Sequence, residues 1–167
     1  NSRFPDPFPR AGLPHMDKKL GEDTKLLIST EGGARGNPGP AAIGYIVGGK
    51  KYGEKIGSTT NNVAEYKAVI AALKKAKQLL GKTKAKSTEI ELRLDSELIY
   101  KQIGGKYKIL EPDLQTFFIE LWNLKQDFKS VEFIKIPREE NKEADRMVNM
   151  ALDGKNMTPD YPSAHLL

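Results

Sequence analysis

The sequence predicts an α/β domain built on a mixed sheet, with helices on the faces of that sheet. Two observations lead to this fold class. The first is a set of short β-prone segments joined by a Gly-Gly pair, which is typical of a β-hairpin. The second is a later alternation of β-prone segments with segments whose apolar residues have helical spacing. An antiparallel meander followed by βαβ units gives five strands that are partly antiparallel and partly parallel.

The first three strands lie in the amino-terminal third of the chain. Residues 25–30 (KLLIST) form a short apolar run that is typical of a buried strand. Residues 41–47 and 51–57 are two further β-prone segments, and Gly48-Gly49 joins them. We therefore predict that these three strands form an antiparallel meander.

A helix, a strand and a short helix follow. Asn61 or Asn62 is predicted to cap the helix, which ends at Gly81. Residues 88–95 (TEIELRLD) alternate between apolar and polar side chains, which predicts the fourth strand. Residues 96–103 are predicted to form the short helix, closed by two glycines.

The carboxyl-terminal part of the domain contains two more helices and one strand. A long helix is predicted from Pro112 to about residue 126, with its single tryptophan, Trp122, in the core or at the edge of the core. Residues 131–136 (VEFIKI) are the fifth strand, and residues 141–152 are the last helix.

The two ends of the chain do not fit this pattern. Residues 1–19 contain four prolines and are predicted to be a disordered leader or one introduced by cloning. Residues 20–153 are the predicted domain, and residues 154–167 are predicted to be a flexible tail.

Composition excludes several classes of chemistry. The absence of cysteine excludes a disulfide scaffold, a cysteine nucleophile and a cysteine-ligated zinc. The only histidines, His15 and His165, lie in proline-rich ends, which argues against a Ser-His-Asp triad and a histidine metal site. We find neither a secretory signal nor an apolar run of membrane-spanning length, so a cytoplasmic protein with no membrane partner is expected.

The net charge points to an acidic partner. Subtracting 22 Asp and Glu residues from 27 Lys and Arg residues gives +5. Nucleic acid is the commonest acidic partner, and a solvated lysine surface is the alternative. One basic stretch interleaves lysines with two tyrosines and could contact phosphate or simply form a solvated face: Tyr100, Lys101, Lys106, Tyr107, Lys108 and Lys135.

Four acids stand at positions where they could act together. Glu31 follows the first predicted strand, Glu65 lies in the first turns of a helix, and Asp95 ends the fourth strand. Asp145 follows the inward-facing Ala144 on the last helix. Carboxylates without histidine suit hard cations such as Mg²⁺ or Mn²⁺, and two such ions about 4 Å apart can clamp a phosphodiester displacement. Each acid alone is commonly a cap or a solvated charge, and spacing does not establish that the four converge.

Two further segments are candidates for substrate contact. The glycine-rich turn at residues 32–40 is neither a Walker A loop nor a GxGxxG fingerprint. Its glycines would let a polymer approach the backbone, and a flexible turn is the alternative. Thr60, Asn61 and Asn62 could bind phosphate or base edges at a helix start, with ordinary helix capping as the alternative.

Four motifs in order carry a family resemblance: ISTEGGARGNPGPAAIGY, TTNNVAEYKAVIAAL, LRLDSELIYKQIGG and IPREENKEADRMVNMAL. Together they resemble type 1 ribonucleases H, in the archaeal and bacterial branch that lacks the flexible histidine loop. The resemblance covers about residues 25–152. It implies a ribonuclease H-like fold and an endonuclease that hydrolyses the RNA strand of RNA–DNA hybrids.

The resemblance also implies a cofactor and a set of site residues. Two Mg²⁺ or Mn²⁺ ions per site would be held by four catalytic carboxylates: Glu31, Glu65, Asp95 and Asp145. The family's substrate contacts match the Gly32 and Gly33 backbone, Asn61, Asn62 and Ser96, with Thr60 gripping a DNA phosphate. Arg35 and Asn37 of the glycine-rich turn and Lys106 of the basic stretch are further candidates for substrate binding. The expected partner of this expected monomer is the hybrid duplex, and double-stranded RNA is a second candidate partner.

One departure from the family pattern produces a second hypothesis. The family's first carboxylate is normally Asp, whereas this chain has Glu31. The extra methylene shifts the carboxylate, and Mg²⁺ demands near-ideal octahedral geometry. Natural variation, an engineered change and lost activity are the three alternatives. The second hypothesis is therefore a hybrid-binding module with impaired or absent catalysis, and a third is a reverse-transcriptase-associated domain of the same fold.

Overall fold

The computed structural model describes residues 24–155. Five strands form one sheet in the spatial order β3-β2-β1-β4-β5. The strands are β1 (Thr24–Ala34), β2 (Gly39–Val47), β3 (Lys50–Thr59), β4 (Thr88–Leu94) and β5 (Ser130–Lys135). The helices are α1 (Asn61–Leu80), α2 (Lys82–Lys86), α3 (Glu97–Ile103), α4 (Pro112–Lys125) and α5 (Lys142–Leu152), and a 3₁₀ turn covers Arg138–Glu140.

Strand directions confirm the predicted mixed sheet. β1 pairs antiparallel with β2, and β2 pairs antiparallel with β3, which gives the meander. β1 also pairs parallel with β4, and β4 pairs parallel with β5. The chain therefore leaves β1 toward one edge of the sheet and later returns to its other side. Ligand sites of α/β sheets lie at such switch points, beyond the carboxyl ends of the parallel strands.

β1 is longer than the sequence predicts. The prediction ended the strand at Thr30, because three glycines lie within the next six residues and glycine weakens a strand. In the structure the strand continues to Ala34, since residues 31–34 pair with residues 41–44 of β2. The placement of Glu31 after the strand was therefore wrong. Glu31 lies within β1 and pairs with Gly44, two residues beyond Ser29, where the parallel pairing with β4 ends.

The cap of α1 also differs from the prediction. Thr60, rather than Asn61 or Asn62, is the cap residue, with an extended backbone and a side-chain oxygen that accepts from the Val63 N–H at 3.3 Å. The Asn61 side chain serves another purpose, because its oxygen accepts from the Ala34 N–H at 2.8 Å. Local sequence does not distinguish three adjacent residues that all cap helices well. The end of α1 at Gly81 is as predicted.

Helices cover both faces of the sheet. α1 lies on one face and buries Tyr66, Val69 and Leu73 in the main core. α4 packs against α1 and contributes Leu114 and Leu121 to the same core. On the opposite face α5 forms a smaller cluster in which Ala42 of β2 contacts Val148 and Ala151. The alternation of β4 is as predicted, with Ile90, Leu92 and Leu94 buried.

Three local features were not predicted or were predicted wrongly. The five-residue helix α2 and the 3₁₀ turn are short and carry no helical period that a sequence pattern could reveal. Trp122 is 53% exposed rather than in the core, because α4 turns Leu114 and Leu121 inward and leaves the tryptophan on its outer side. The Lys125 ammonium lies 5.2 Å from the Trp122 ring centroid.

Some predictions fall on other parts of the chain. The leader at residues 1–19, most of the tail at 154–167, His15 and His165 lie outside the described residues. The domain limits at residues 20 and 153 remain a prediction. Between residues 24 and 155, no helix is both long enough and apolar enough to cross a membrane.

Candidate active site

Three carboxylates meet where the sheet order reverses. Glu31 comes from β1, Glu65 from the second turn of α1, and Asp95 from the residue that follows β4. Each offers one oxygen, and these oxygens lie within 4.8 Å of one another. Glu31 and Glu65 are only 5% and 8% exposed. The family resemblance implied one site for four acids, and these three lie together.

Gly32 lets β1 and α1 approach closely enough to bring two of these acids together. A Cβ on Gly32 would fall inside contact distance of the Ala64 backbone and of the Glu65 nitrogen. The Gly32 N–H in turn donates a hydrogen bond to the Glu65 carboxylate. The glycine therefore sets the spacing between the strand that carries Glu31 and the helix that carries Glu65.

We expect Gly32→Ala to destabilise the protein by several kcal/mol, because the added methyl overlaps backbone atoms that cannot move independently of α1. Gly33→Ala is the matched control, since its Cβ would meet only Val148 Cγ1, at 3.7 Å. Urea unfolding of both variants measures the difference. Equal stability of the two variants would contradict the close approach as the reason for glycine at position 32.

The buried acids repel one another. Burial is the largest cause that raises the pKa of Glu31, and the hydrogen bond to Glu65 and the charges of Glu65 and Asp95 raise it further. Burial also raises the pKa of Glu65, together with the charge of Asp95, while hydrogen bonds from Glu31 and Gly32 and the charge of Arg138 act in the opposite direction. One proton shared between Glu31 and Glu65 is consistent with both shifts.

The donor set fits a hard divalent cation. The Oε2 atoms of Glu31 and Glu65 are buried and have no hydrogen-bond partner within residues 24–155. Buried carboxylate oxygens without partners are costly unless a proton or a cation satisfies them. Mg²⁺ and Mn²⁺ prefer oxygen ligands of this kind. Glu31, Glu65 and Asp95 are therefore the residues that could hold such an ion.

Asp145 faces the same cleft but is not a member of this three-carboxylate group. It lies in the first turn of α5, where Asn149 Nδ2 donates to its backbone oxygen at 3.1 Å and lies 3.4 Å from its Oδ2. The structure thus brings three of the four predicted acids together, and the fourth lines the same cleft outside that group. Its metal role remains a prediction.

The cleft has a volume of about 510 Å³ and contains most of the predicted substrate-binding residues. Of those residues, it is lined by Gly32, Gly33, Arg35, Asn61, Asn62 and Ser96. Arg35 is already engaged, since it pairs with Asp153 at 2.8 Å and donates to Asn149 Oδ1 at 3.3 Å. Ser96 also caps α3, where its Oγ accepts from the Ile99 N–H.

Three predicted substrate contacts do not line the cleft. Asn37 accepts a hydrogen bond from the Asn61 N–H at 3.1 Å, so it supports the loop beside the cleft. Thr60 caps α1, one residue before the Asn61 side chain that holds Ala34. Lys106 is exposed in the loop between α3 and α4. Their roles in binding remain predictions.

Two residues beside the acids were not predicted as site residues. Arg138 lines the cleft, and its charge lowers the pKa of Glu65. Asn141 is 2% exposed and donates to Asp95 Oδ2 at 3.1 Å. Both lie in the PREEN motif, which contributed to the resemblance only as a signature. The signal was therefore present, but an asparagine before a helix is more commonly a cap.

Comparison with known proteins gives consistent matches. A family model described as "Reverse transcriptase-like" matches residues 37–151. The chain is 40% identical to the Ribonuclease HI of Halobacterium salinarum over 129 residues, which is 74% of this chain and 62% of that protein. It is 36% identical to the "Bifunctional protein Rv2228c" of Mycobacterium tuberculosis over 136 residues, 77% of this chain and 36% of that protein.

Solved structures extend the match to the fold. The crystal structure of RNase H1 from Halobacterium salinarum has a TM-score of 0.71 and 38% identity, and the match covers 78% of this chain and 98% of that one. The structure of LC11-RNase H1 in complex with RNA/DNA hybrid has a TM-score of 0.73 and 42% identity, with 77% and 97% coverage.

Fold and site together define an α/β domain with an acidic cleft at the switch point of a five-stranded sheet. The carboxylates of this cleft are suited to a divalent cation. With these matches, the chain belongs to the type 1 ribonuclease H family. It spans about a third of the mycobacterial relatives and less than two thirds of the halobacterial protein.

Proposed function

We propose that this protein is an endonuclease that hydrolyses the RNA strand of RNA–DNA hybrids with divalent cations. The observation that carries the proposal is the group of three acids, two of them with buried oxygens that lack partners, in a cleft lined with amide and hydroxyl groups. The family membership and the hybrid bound to the related LC11 enzyme support it.

The residues that line the cleft form two groups with different roles in this proposal. Glu31, Glu65 and Asp95 would hold cations, with Asp145 facing them from α5. Cations bound there supply the positive charge that stabilises the attacking and leaving oxygens of a phosphodiester displacement. The Gly32 and Gly33 backbone and the side chains of Asn61, Asn62 and Ser96 would orient the nucleic acid.

A cleavage assay with a labelled RNA–DNA hybrid tests the proposal, with Mg²⁺ and Mn²⁺ in parallel. We expect the wild type to cut the hybrid. Asp145→Asn should reduce the cleavage rate by at least about a hundredfold while leaving folding intact, because Asp145 is partly exposed and, within the described residues, its carboxylate contacts only Asn149. Undiminished cleavage by Asp145→Asn would remove Asp145 from the mechanism.

The second candidate function is hybrid binding without efficient catalysis, and Glu31 is the observation that favours it. The longer side chain nevertheless places its carboxylate within the acidic group, which supports the nuclease. The same assay separates the two candidates. Hybrid binding without cleavage by the wild type, together with cleavage by Glu31→Asp, would establish the binding module and overturn the nuclease for this chain.

A further inference from the structure

Asn141 occupies the cap position of α5, but its side chain does not cap the helix. Its side chain makes no capping hydrogen bond, and its backbone (φ −110°, ψ 27°) differs from the extended form usual at a cap. The residue is nevertheless 2% exposed. A buried asparagine side chain that does not cap the helix must be explained by the contacts it makes elsewhere.

Those contacts join two of the elements that carry the acids. The Asn141 amide nitrogen donates to the backbone oxygen of Thr30 at 2.9 Å and to Asp95 Oδ2 at 3.1 Å. Thr30 immediately precedes Glu31 in β1, and Asp95 follows β4. Both partners are hydrogen-bond acceptors. A side-chain amide has two N–H groups and can therefore donate to both at once without adding a charge.

The oxygen of the same amide has no such partner. Asn141 Oδ1 is buried and makes no hydrogen bond within the described chain, and the Thr30 hydroxyl is also buried without a partner. Leaving a buried carbonyl oxygen unpaired lowers stability. Asn141 is therefore a poor choice for stability alone, although it is well suited to donate to a carboxylate.

We propose that Asn141 is a positioning residue for the cation site, a proposal that rests on the function proposed above. By holding Oδ2 of Asp95 beside Thr30 of β1, it fixes the orientation of that carboxylate, one oxygen of which lies within 4.8 Å of oxygens of Glu31 and Glu65. The neutral amide achieves this without the positive charge with which a lysine or arginine would repel a cation. Groups that orient a metal ligand in this way commonly affect metal affinity by about 10- to 100-fold.

Asn141→Ser is the direct test, because serine can cap α5 but is too short to reach both partners. Asn141→Ala is the second variant. Thr88→Ala is the matched control: Thr88 is also fully buried and donates to a backbone oxygen, but at the start of β4, six residues before Leu94. The primary measurement is Mn²⁺ affinity without nucleic acid, by calorimetry. The secondary measurement is the Mn²⁺ dependence of hybrid cleavage.

We expect both Asn141 variants to bind Mn²⁺ at least about tenfold more weakly than the wild type, and Thr88→Ala to bind it normally. The Mn²⁺ concentration for half-maximal cleavage should rise by a similar factor, with a smaller change in kcat at saturation. A folded Asn141 variant with wild-type Mn²⁺ affinity would overturn the proposal, as would an equal loss in Thr88→Ala.

The two proposals fail in different ways. A wild type that binds Mn²⁺ but cuts no hybrid overturns the nuclease, and the affinities still decide the role of Asn141. A wild type that cuts the hybrid, beside Asn141 variants of unchanged affinity, overturns only the positioning role. A wild type that binds no Mn²⁺ at millimolar concentration overturns both.

Discussion

Glu65→Gln is expected to abolish cleavage and at the same time to stabilise the metal-free protein. Glutamine has nearly the same shape but removes one negative charge from the group of three acids, so a cation loses a charged ligand. The rate should fall by more than the 10- to 100-fold typical of residues that only support a ligand. Without metal, the same change removes a buried charge that Asp95 repels, which should raise the unfolding free energy by about 1–3 kcal/mol.

The opposite signs of these two effects make the prediction specific. Glu120→Gln is the matched control, since Glu120 is a partly exposed residue of α4 that pairs with Lys74 at 2.7 Å, away from the cleft. It should change stability by less than about 1 kcal/mol and leave cleavage unchanged. The measurements are urea unfolding in EDTA and single-turnover cleavage. A Glu65→Gln variant that is less stable than the wild type in EDTA would contradict the repulsion among the acids.

The stability of the metal-free protein should fall as the pH rises from 5 to 8. Glu31 and Glu65 have pKa values raised above the 4.5 of an unfolded chain, so the folded state holds protons that the unfolded state has already released. Folding is favoured by these groups below pH 4.5, and that contribution is lost as the pH rises toward the folded-state pKa values, about 7 for Glu65. For Glu65 alone the loss is on the order of 3 kcal/mol, at about 1.4 kcal/mol per tenfold change in proton affinity, and Glu31 adds to it.

Saturating Mg²⁺ should cancel most of this loss, because the cation replaces the protons and binds only the folded state. Thermal unfolding in EDTA and in Mg²⁺, at several pH values, measures both effects. Glu31→Gln should flatten the pH dependence in EDTA. The pKa values of Glu97 and Asp153 are lowered, so these two groups change the stability only at a pH below the range from 5 to 8. A stability in EDTA that rises between pH 5 and pH 8 would contradict the raised pKa values of the two glutamates.

The order of elements and the mixed sheet could be predicted from the sequence, because alternation in residues 88–94 and helical spacing in α1 are local patterns. The extension of β1 through its glycines was missed, since it depends on pairing with β2 rather than on the strand's own residues. Trp122 was misplaced for a related reason. An apolar residue can lie on either side of a helix, and only the packed neighbours decide which side is buried.

The site residues also divide into those that the sequence could reveal and those that depend on contacts between distant segments. Glu31, Glu65 and Asp95 were identified because the sequence placed them near the ends of predicted elements and because they match family motifs, and the fold brings them together. Asn141 could not be recognised as a partner of Asp95, because the two residues are 46 positions apart and meet only through the sheet. Asp145 was assigned to the same metal group by motif; it lines the cleft from α5 outside the group of three, and its metal role stays a prediction.

Strand-resolved cleavage tests the central claim, that the three acids form the cation site of a hybrid-specific nuclease. The substrate is one RNA–DNA hybrid with a different label on each strand, beside a DNA duplex of the same sequence. The wild type, with Mg²⁺, should cut only the RNA strand and leave the DNA duplex intact, while Glu65→Gln should bind the hybrid without cutting it. Equal cleavage of the hybrid by the wild type and Glu65→Gln, or cleavage in EDTA, would contradict the claim.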